Sequence, residues 1–420
     1  MSKRFWLLGL AGLVLAGLLL ACGNGYNQSQ DGLVVVGSQG SGLLETFSFN
    51  LNSGGVTAIA NSPNDTASET CGLNGSPSNM VMDPAGTYAY VIFNKSDQCS
   101  NATQYGIAAF QVKSDGTLKQ VGSLVPDTNP VAIAMDPAGK FLFIAEGTQG
   151  VANVYAIGSG AALTSVQSSY NLPAMPVPPN FVALAPSPTV FPQVGINGTQ
   201  NSVCSIPGST PPTAQYLYLV DAANYQVLEF SVNTTTGALG NPPNKSQVQL
   251  FATDKVPMGV AVDPCDRFVY VSDSLTNKVS AYLLCSVVIT TPPTPCPYAD
   301  GTLVSVVGSP FTMSGAVSAP GPIVVDPFGN NVYVVGTLSN TVSAFKISSV
   351  SGALQAATPP TVATGREPTS IVIRGDDNWM FVTNFLDATV SQYSIAPATG
   401  TLTVLPAIPT DNSPWGVAVK

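Results

Sequence analysis

Histidine is absent from all 420 residues. That removes the commonest general base at neutral pH, the usual imidazole ligand of zinc and every Ser-His-Asp triad. Charge is scarce as well: 9% of residues are charged, with a net charge of −9. Beyond Arg4 the only arginines are Arg267, Arg366 and Arg374, and glutamate is nearly as rare. With no basic cluster to neutralise a phosphate backbone, nucleic-acid binding is excluded. No Cys-x-x-Cys pair occurs, so a cysteine-built metal site is not expected. Past Leu20 no apolar run is long enough, and free enough of turn residues, to span a bilayer. No cofactor is expected.

What the chain has in abundance is repetition. A proline followed by alternating apolar residues returns seven times, at Pro77, Pro130, Pro179, Pro257, Pro320, Pro368 and Pro414. In the clearest copies a turn follows: Asp83-Pro84-Ala85-Gly86, Asp136-Pro137-Ala138-Gly139 and Asp326-Pro327-Phe328-Gly329. Asp bonds its own backbone, Pro presets φ at the second turn position and Gly closes the turn. Each unit then reads as strands B, C and D after the proline-led strand A. Strand D starts at Val56, Leu118, Leu163, Leu239, Leu303, Leu354 and Leu402. A supersecondary unit repeated at this period builds a ring or an array. Pro414 to Lys420 is a strand A with nothing after it, and Leu33 to Ile59 holds B, C and D with no A before them. The expectation is one all-β, seven-bladed propeller over residues 33–420. Its blades have four antiparallel strands, and the first is closed by the C-terminal strand. Small residues such as Gly259 and Gly416, two after the proline, suit the crowded axis of such a ring.

The N-terminus resembles that of an exported bacterial lipoprotein. Lys3 and Arg4 precede an apolar run to Leu20, and Leu19-Leu20-Ala21-Cys22 is similar to a lipobox. The resemblance implies a signal peptide at 1–21, lipidation of Cys22 and a tether at 22–32. It also implies membrane attachment through acyl chains. Gly23 after the cysteine favours the outer membrane or cell surface. Six cysteines remain, an even number suited to disulfides in an exported chain. The repeat map places Cys71 and Cys99 on one face, and Cys204, Cys265, Cys285 and Cys296 on the other. The expected pairs are Cys71–Cys99 and Cys285–Cys296, with Cys204–Cys265 left by elimination.

Tyr270-Val271-Ser272-Asp273 and Phe381-Val382-Thr383-Asn384 resemble the Tyr-Val-Thr-Asn (YVTN) repeat of bacterial β-propellers. Nearly the whole mature chain is similar to the lactonase-like propeller family, which includes 6-phosphogluconolactonase and carboxymuconate cycloisomerase relatives. Such repeats are WD40-like in architecture only. The resemblance implies acidic, basic and sometimes histidine side chains around a central channel, and no such set can be matched residue by residue here.

Two candidate constellations remain. Glu146, Asp221 and Asp273 end strand B on three consecutive units, where converging carboxylates can act as acid and base or hold Ca²⁺. The competing reading is that each only caps its own B–C turn by accepting from nearby backbone N–H groups. Arg366 and Glu367 precede Pro368 in a D–A loop, the loop class that rings the channel mouth. An arginine there can receive an anion, with Trp415 and Met258 on the same rim. The first expectation is a lipid-anchored, monomeric binding scaffold for an envelope protein, peptide or glycan. The alternative is a lactonase-type enzyme that opens or isomerises a small cyclic ester, with Arg366 on the substrate and Glu146, Asp221, Asp273 or Glu367 as base.

Overall fold

The computed structural model describes residues 31–60, 62, 64–65, 76–94, 105–147, 150–167, 170, 172–187, 215–243, 245–285, 301–314 and 318–420. Within them the chain forms seven antiparallel sheets. Blade 2 shows the plan: strand A is Ser76–Met82, B Tyr88–Asn94, C Tyr105–Val112 and D Leu118–Asp127. Strand A of the next five blades is Pro130–Met135, Phe181–Pro186, Pro257–Val262, Pro320–Val325 and Pro368–Ile373. Each A strand packs on the next all the way round. The ring closes as the repeat count requires: Pro414–Val419 pairs with Asp31–Ser38 to complete blade 1. Several boundaries differ from the sequence reading: strand A of blade 2 begins at Ser76, one residue before Pro77, and strand D of blade 7 at Thr401, one before Leu402. Blade 1 begins at Asp31, two residues earlier than expected. In blade 4 the strand starts at Phe181, because Pro179 stays in the preceding loop.

Burial explains the composition of strand B. Both of its faces are covered by neighbouring blades, so it reads as a continuous apolar run rather than an alternation. Phe141–Glu146, Phe268–Asp273 and Trp379–Asn384 are buried at every position. The hydrophobic core is divided among the seven seams between blades, one cluster to each. The closing seam, between blades 7 and 1, stacks Phe49 edge-on against Phe381 and Trp379 at 5.2 and 5.9 Å.

Polar side chains tie the same seams together. The Tyr270 and Tyr333 hydroxyls donate to the carbonyls of Gly352 and Gly400 in the C–D turn of the next blade, both at 3.0 Å. Ser272 and Thr383, two residues further along their B strands than the aromatic, donate to the strand-A carbonyls of Gly321 (2.6 Å) and Trp415 (2.9 Å) in the next blade. The repeated aromatic and hydroxyl positions are therefore inter-blade ties. Gly352 is left-handed (φ 73°) and packs under the Phe268 ring of the preceding blade, where a side chain has no room. Gly416 has ordinary φ but lies against the Ser78 carbonyl of blade 2.

The segment expected to be a signal peptide, Cys22 and residues 23–30 of the expected tether lie outside the described residues, as do Cys71, Cys99, Cys204 and Cys296, while residues 31–32 begin the first strand. Cys265 and Cys285 are both buried and disulfide-bonded. Each of the three expected pairs involves at least one cysteine outside the described residues.

Replacing Gly416 with alanine drives a methyl into the Ser78 carbonyl at the seam between blades 1 and 2 and is expected to destabilise the fold by roughly 1–3 kcal/mol. Gly375→Ala, with nothing within 4 Å of the new methyl, is the control. Denaturant midpoints check this, and equal midpoints for the two variants would contradict the packing described.

Candidate functional site

Strand A is the inner edge of every blade, with no partner on its axial side. Proline tolerates such an edge, because its missing N–H leaves no ladder bond unmade. Just after the opening residue each A strand breaks register with strand B. In blade 3, for example, Glu146 pairs with Pro130 and Ala145 with Ala132, leaving Val131 unpaired. A bulge bends the strand and re-aims the extra side chain. Here the extra residues turn to the axis: Val131, Val182, Met258, Thr369 and Trp415, with Ser78–Asn79 and Gly321–Pro322 as two-residue versions, all line one central cavity.

That cavity measures about 680 Å³, within the range of small-molecule sites. Below the bulges the wall is an apolar collar with one side chain per blade, among them Ile133, Leu184, Val260, Ile323, Ile371 and Val417. Near the mouth it carries Asn94, Asn180, Thr337 and Ser370 as neutral polar groups. Among the described residues that line it, Glu367 is the only ionisable one.

Glu367 is fixed by its backbone. It sits in the left-handed region (φ 53°), as do Val256, Ala319 and Ser413 before the prolines of blades 5, 6 and 1. A non-glycine residue there costs on the order of 1–3 kcal/mol unless neighbours hold it. Its N–H donates to Asn340 Oδ1 of blade 6 at 2.9 Å, and its carbonyl accepts from Phe385 N at 3.0 Å. The side chain is half-buried, and its carboxylate has no hydrogen bond or ion pair among the described residues. Trp415, on the adjoining blade, is held edge-on by Phe385 at 5.7 Å.

Arg366 does not join them. It is 66% exposed, lies outside the cavity lining and pairs with Asp387 of the B–C loop (Nε to Oδ1, 2.6 Å). Its main-chain and side-chain hydrogen bonds hold the Asp387 carboxyl below the usual range.

Glu146, Asp221 and Asp273 do not line the cavity either, and each is committed within its own blade. Glu146 accepts from Asn129 N (2.5 Å) and Asn153 Nδ2 (3.0 Å). Asp221 accepts from Asn180 N, Ala223 N and the Asn224 carboxamide at 3.0, 3.1 and 2.6 Å. Asp273 accepts from Ser280 N and Oγ at 3.0 and 2.7 Å. Only Asp221 bonds N–H groups of its own B–C turn; Glu146 holds the loop before strand A, and Asp273 ties strand B to Ser280 of strand C. Burial, followed by the facing Asp127 carboxylate, pushes Glu146 up to about 8, and burial brings Asp273 to about 7. Among the described residues no cluster of three acidic, cysteine or histidine side chains is arranged to hold a metal ion.

Residues 52–180 match the family model described as Lactonase, 7-bladed beta-propeller. No curated protein matches the chain. Among solved structures the chain is similar to a putative 6-phosphogluconolactonase from Bacteroides fragilis (17% identity, TM-score 0.67, 94% of this chain and 99% of that one). It is also similar to the periplasmic gluconolactonase of Pseudomonas aeruginosa (16%, 0.68, 93% and 99%). A protein from Lactobacillus plantarum is alike to the same degree (15%, 0.69, 93% and 99%). At these identities the structures show the fold.

The raised pKa of Glu146 has a consequence for stability. Between the ordinary glutamate value of ~4.3 and about 8, the folded chain holds a proton that the unfolded chain has released. Its contribution to stability is therefore full below that window and is lost as pH rises through it. Glu146→Gln, which mimics the protonated form, should narrow the fall in melting temperature between pH 5 and pH 8. An unchanged pH dependence would contradict the assignment.

Proposed function

We propose that the chain hydrolyses an uncharged lactone in the central cavity, with Glu367 as general base. The observation that carries this reading is the isolation of Glu367 as the one ionisable side chain among the described residues on the wall of a cavity of small-molecule size. The lactonase-like family match and the gluconolactonase and 6-phosphogluconolactonase neighbours support lactone chemistry over a binding scaffold. Among the described residues that line the cavity there is no lysine or arginine. A phosphate would enter it unpaired, at a large desolvation cost, which favours a lactone without phosphate.

The reaction needs only water as co-reactant. The Glu367 carboxylate takes a proton from a water molecule as its oxygen bonds to the lactone carbonyl carbon. The carbonyl electron pair moves to oxygen, where neutral donors such as Thr337 and Ser370 can stabilise it. The pair returns, the ring C–O bond breaks, and the proton held by Glu367 passes to the departing alkoxide. The product is the open hydroxy acid, with Glu367 again a carboxylate. Trp415 offers a flat apolar face to the ring. In the same reading the chain is exported, anchored through Cys22 at the outer membrane or cell surface, and meets its substrate there as a monomer.

The test is acid release from δ-valerolactone and glucono-δ-lactone, followed above the spontaneous rate. Glu367→Gln should lower kcat/KM by about 10²-fold or more, while Arg366→Ala should stay near wild type. A wild-type chain that accelerates neither lactone, or a fully active Glu367→Gln, would overturn the proposal.

A further inference from the structure

The seven bulges that frame the mouth are alike in backbone and unlike in chemistry. Following the ring, blades 7, 1 and 2 present Thr369, Trp415 and Ser78–Asn79, next to Glu367. At their bulges blades 3, 4 and 5 present Val131, Val182 and Met258, with Asn180 beside Val182 as the one polar side chain of this arc among the described residues that line the cavity. In a ring of seven, the point across the axis from blade 7 falls between blades 3 and 4, and the point across from blade 1 falls between blades 4 and 5. The apolar arc therefore faces Glu367 and Trp415 across the cavity.

We infer that the substrate is an amphipathic lactone, whose ring lies against Trp415 and Glu367 and whose aliphatic substituent lies on Val131, Val182 and Met258. This rests on the lactone reading of the cavity and names the substrate class within it. Met258 is 39% exposed and the two valines are only partly buried, so the arc is apolar surface left facing the cavity. A polyhydroxylated sugar lactone finds Asn180 as the one hydrogen-bonding side chain along this arc among the described residues, and none at the three bulges themselves. An alkyl chain removes their surface from water, and the unbranched methionine side chain adapts to its length.

The test uses the full-length protein and δ-lactones bearing no substituent or a linear alkyl group of one, three or five carbons. Wild-type kcat/KM should rise about threefold to fourfold per methylene. Val182→Asn and Met258→Gln should each flatten that rise. A flat or falling series in the wild type, or an undiminished rise in both variants, overturns the inference. If no lactone is hydrolysed, the catalytic reading fails by itself, and calorimetric titration with the matching δ-lactams decides the rest. Affinity that grows with alkyl length in the wild type and not in the variants upholds the apolar arc. Affinity independent of alkyl length overturns it.

Discussion

Everything at the mouth of this molecule depends on the seam between blades 7 and 1. Trp415 is a few residues from the C-terminus, yet its neighbours are the Phe385 ring of blade 7 and the Thr383 hydroxyl bonded to its carbonyl. The strand that carries it is held by hydrogen bonds to Asp31–Ser38, at the other end of the described chain. Apolar packing of Phe49 with Trp379 and Phe381 closes the same seam. In an open array the A strands would not converge, and Glu367, Trp415 and the opposite arc would share no cavity. The division of the core among seven seams means that no single blade buries its own apolar faces. Stability and site geometry thus come from the same contacts.

The chain's few carboxylates are divided between two tasks. Most are placed where main-chain N–H groups need an acceptor. Asp136 and Asp326 serve the A–B turns, and Asp221 and Glu146 fasten the loops that begin strand A. Burial raises several of them, which costs stability as pH rises, but they are structural acceptors rather than groups open to a ligand. Glu367 differs in that only its backbone is engaged, and its carboxylate stays available on the cavity wall. The bulge sets this arrangement: by taking one residue of strand A out of the ladder, it lets a repeated backbone present a different side chain from each blade.

The architecture is legible because its signals are local. Asp-Pro-x-Gly dictates the A–B turn, the leucines mark the start of strand D, and the unpaired terminal copies announce closure. Blade 4 misled by two residues, because nothing local separates Pro179 in its loop from the prolines that open strands. The site was less legible. Glu367 and Trp415 stand out as rim residues, but the bulge that defines the rim is a relation between strands A and B. From the sequence, Arg366 stands beside Glu367 as a group for an anion. Its partner, Asp387, comes from a loop 21 residues later that folding brings alongside. The carboxylates ending strand B line up in sequence, yet strand B lies one strand out from the axis, so that alignment does not bring them to the cavity.

The most direct test of the account is a crystal structure of the protein with δ-valerolactam bound, as an unreactive stand-in for a lactone ring. The account predicts the ring in the central cavity beside Trp415, with its amide within hydrogen-bond reach of the Glu367 carboxylate. A lactam seated away from the cavity, or in it with Glu367 turned to another partner, would contradict the claim that this carboxylate is the working group of the molecule.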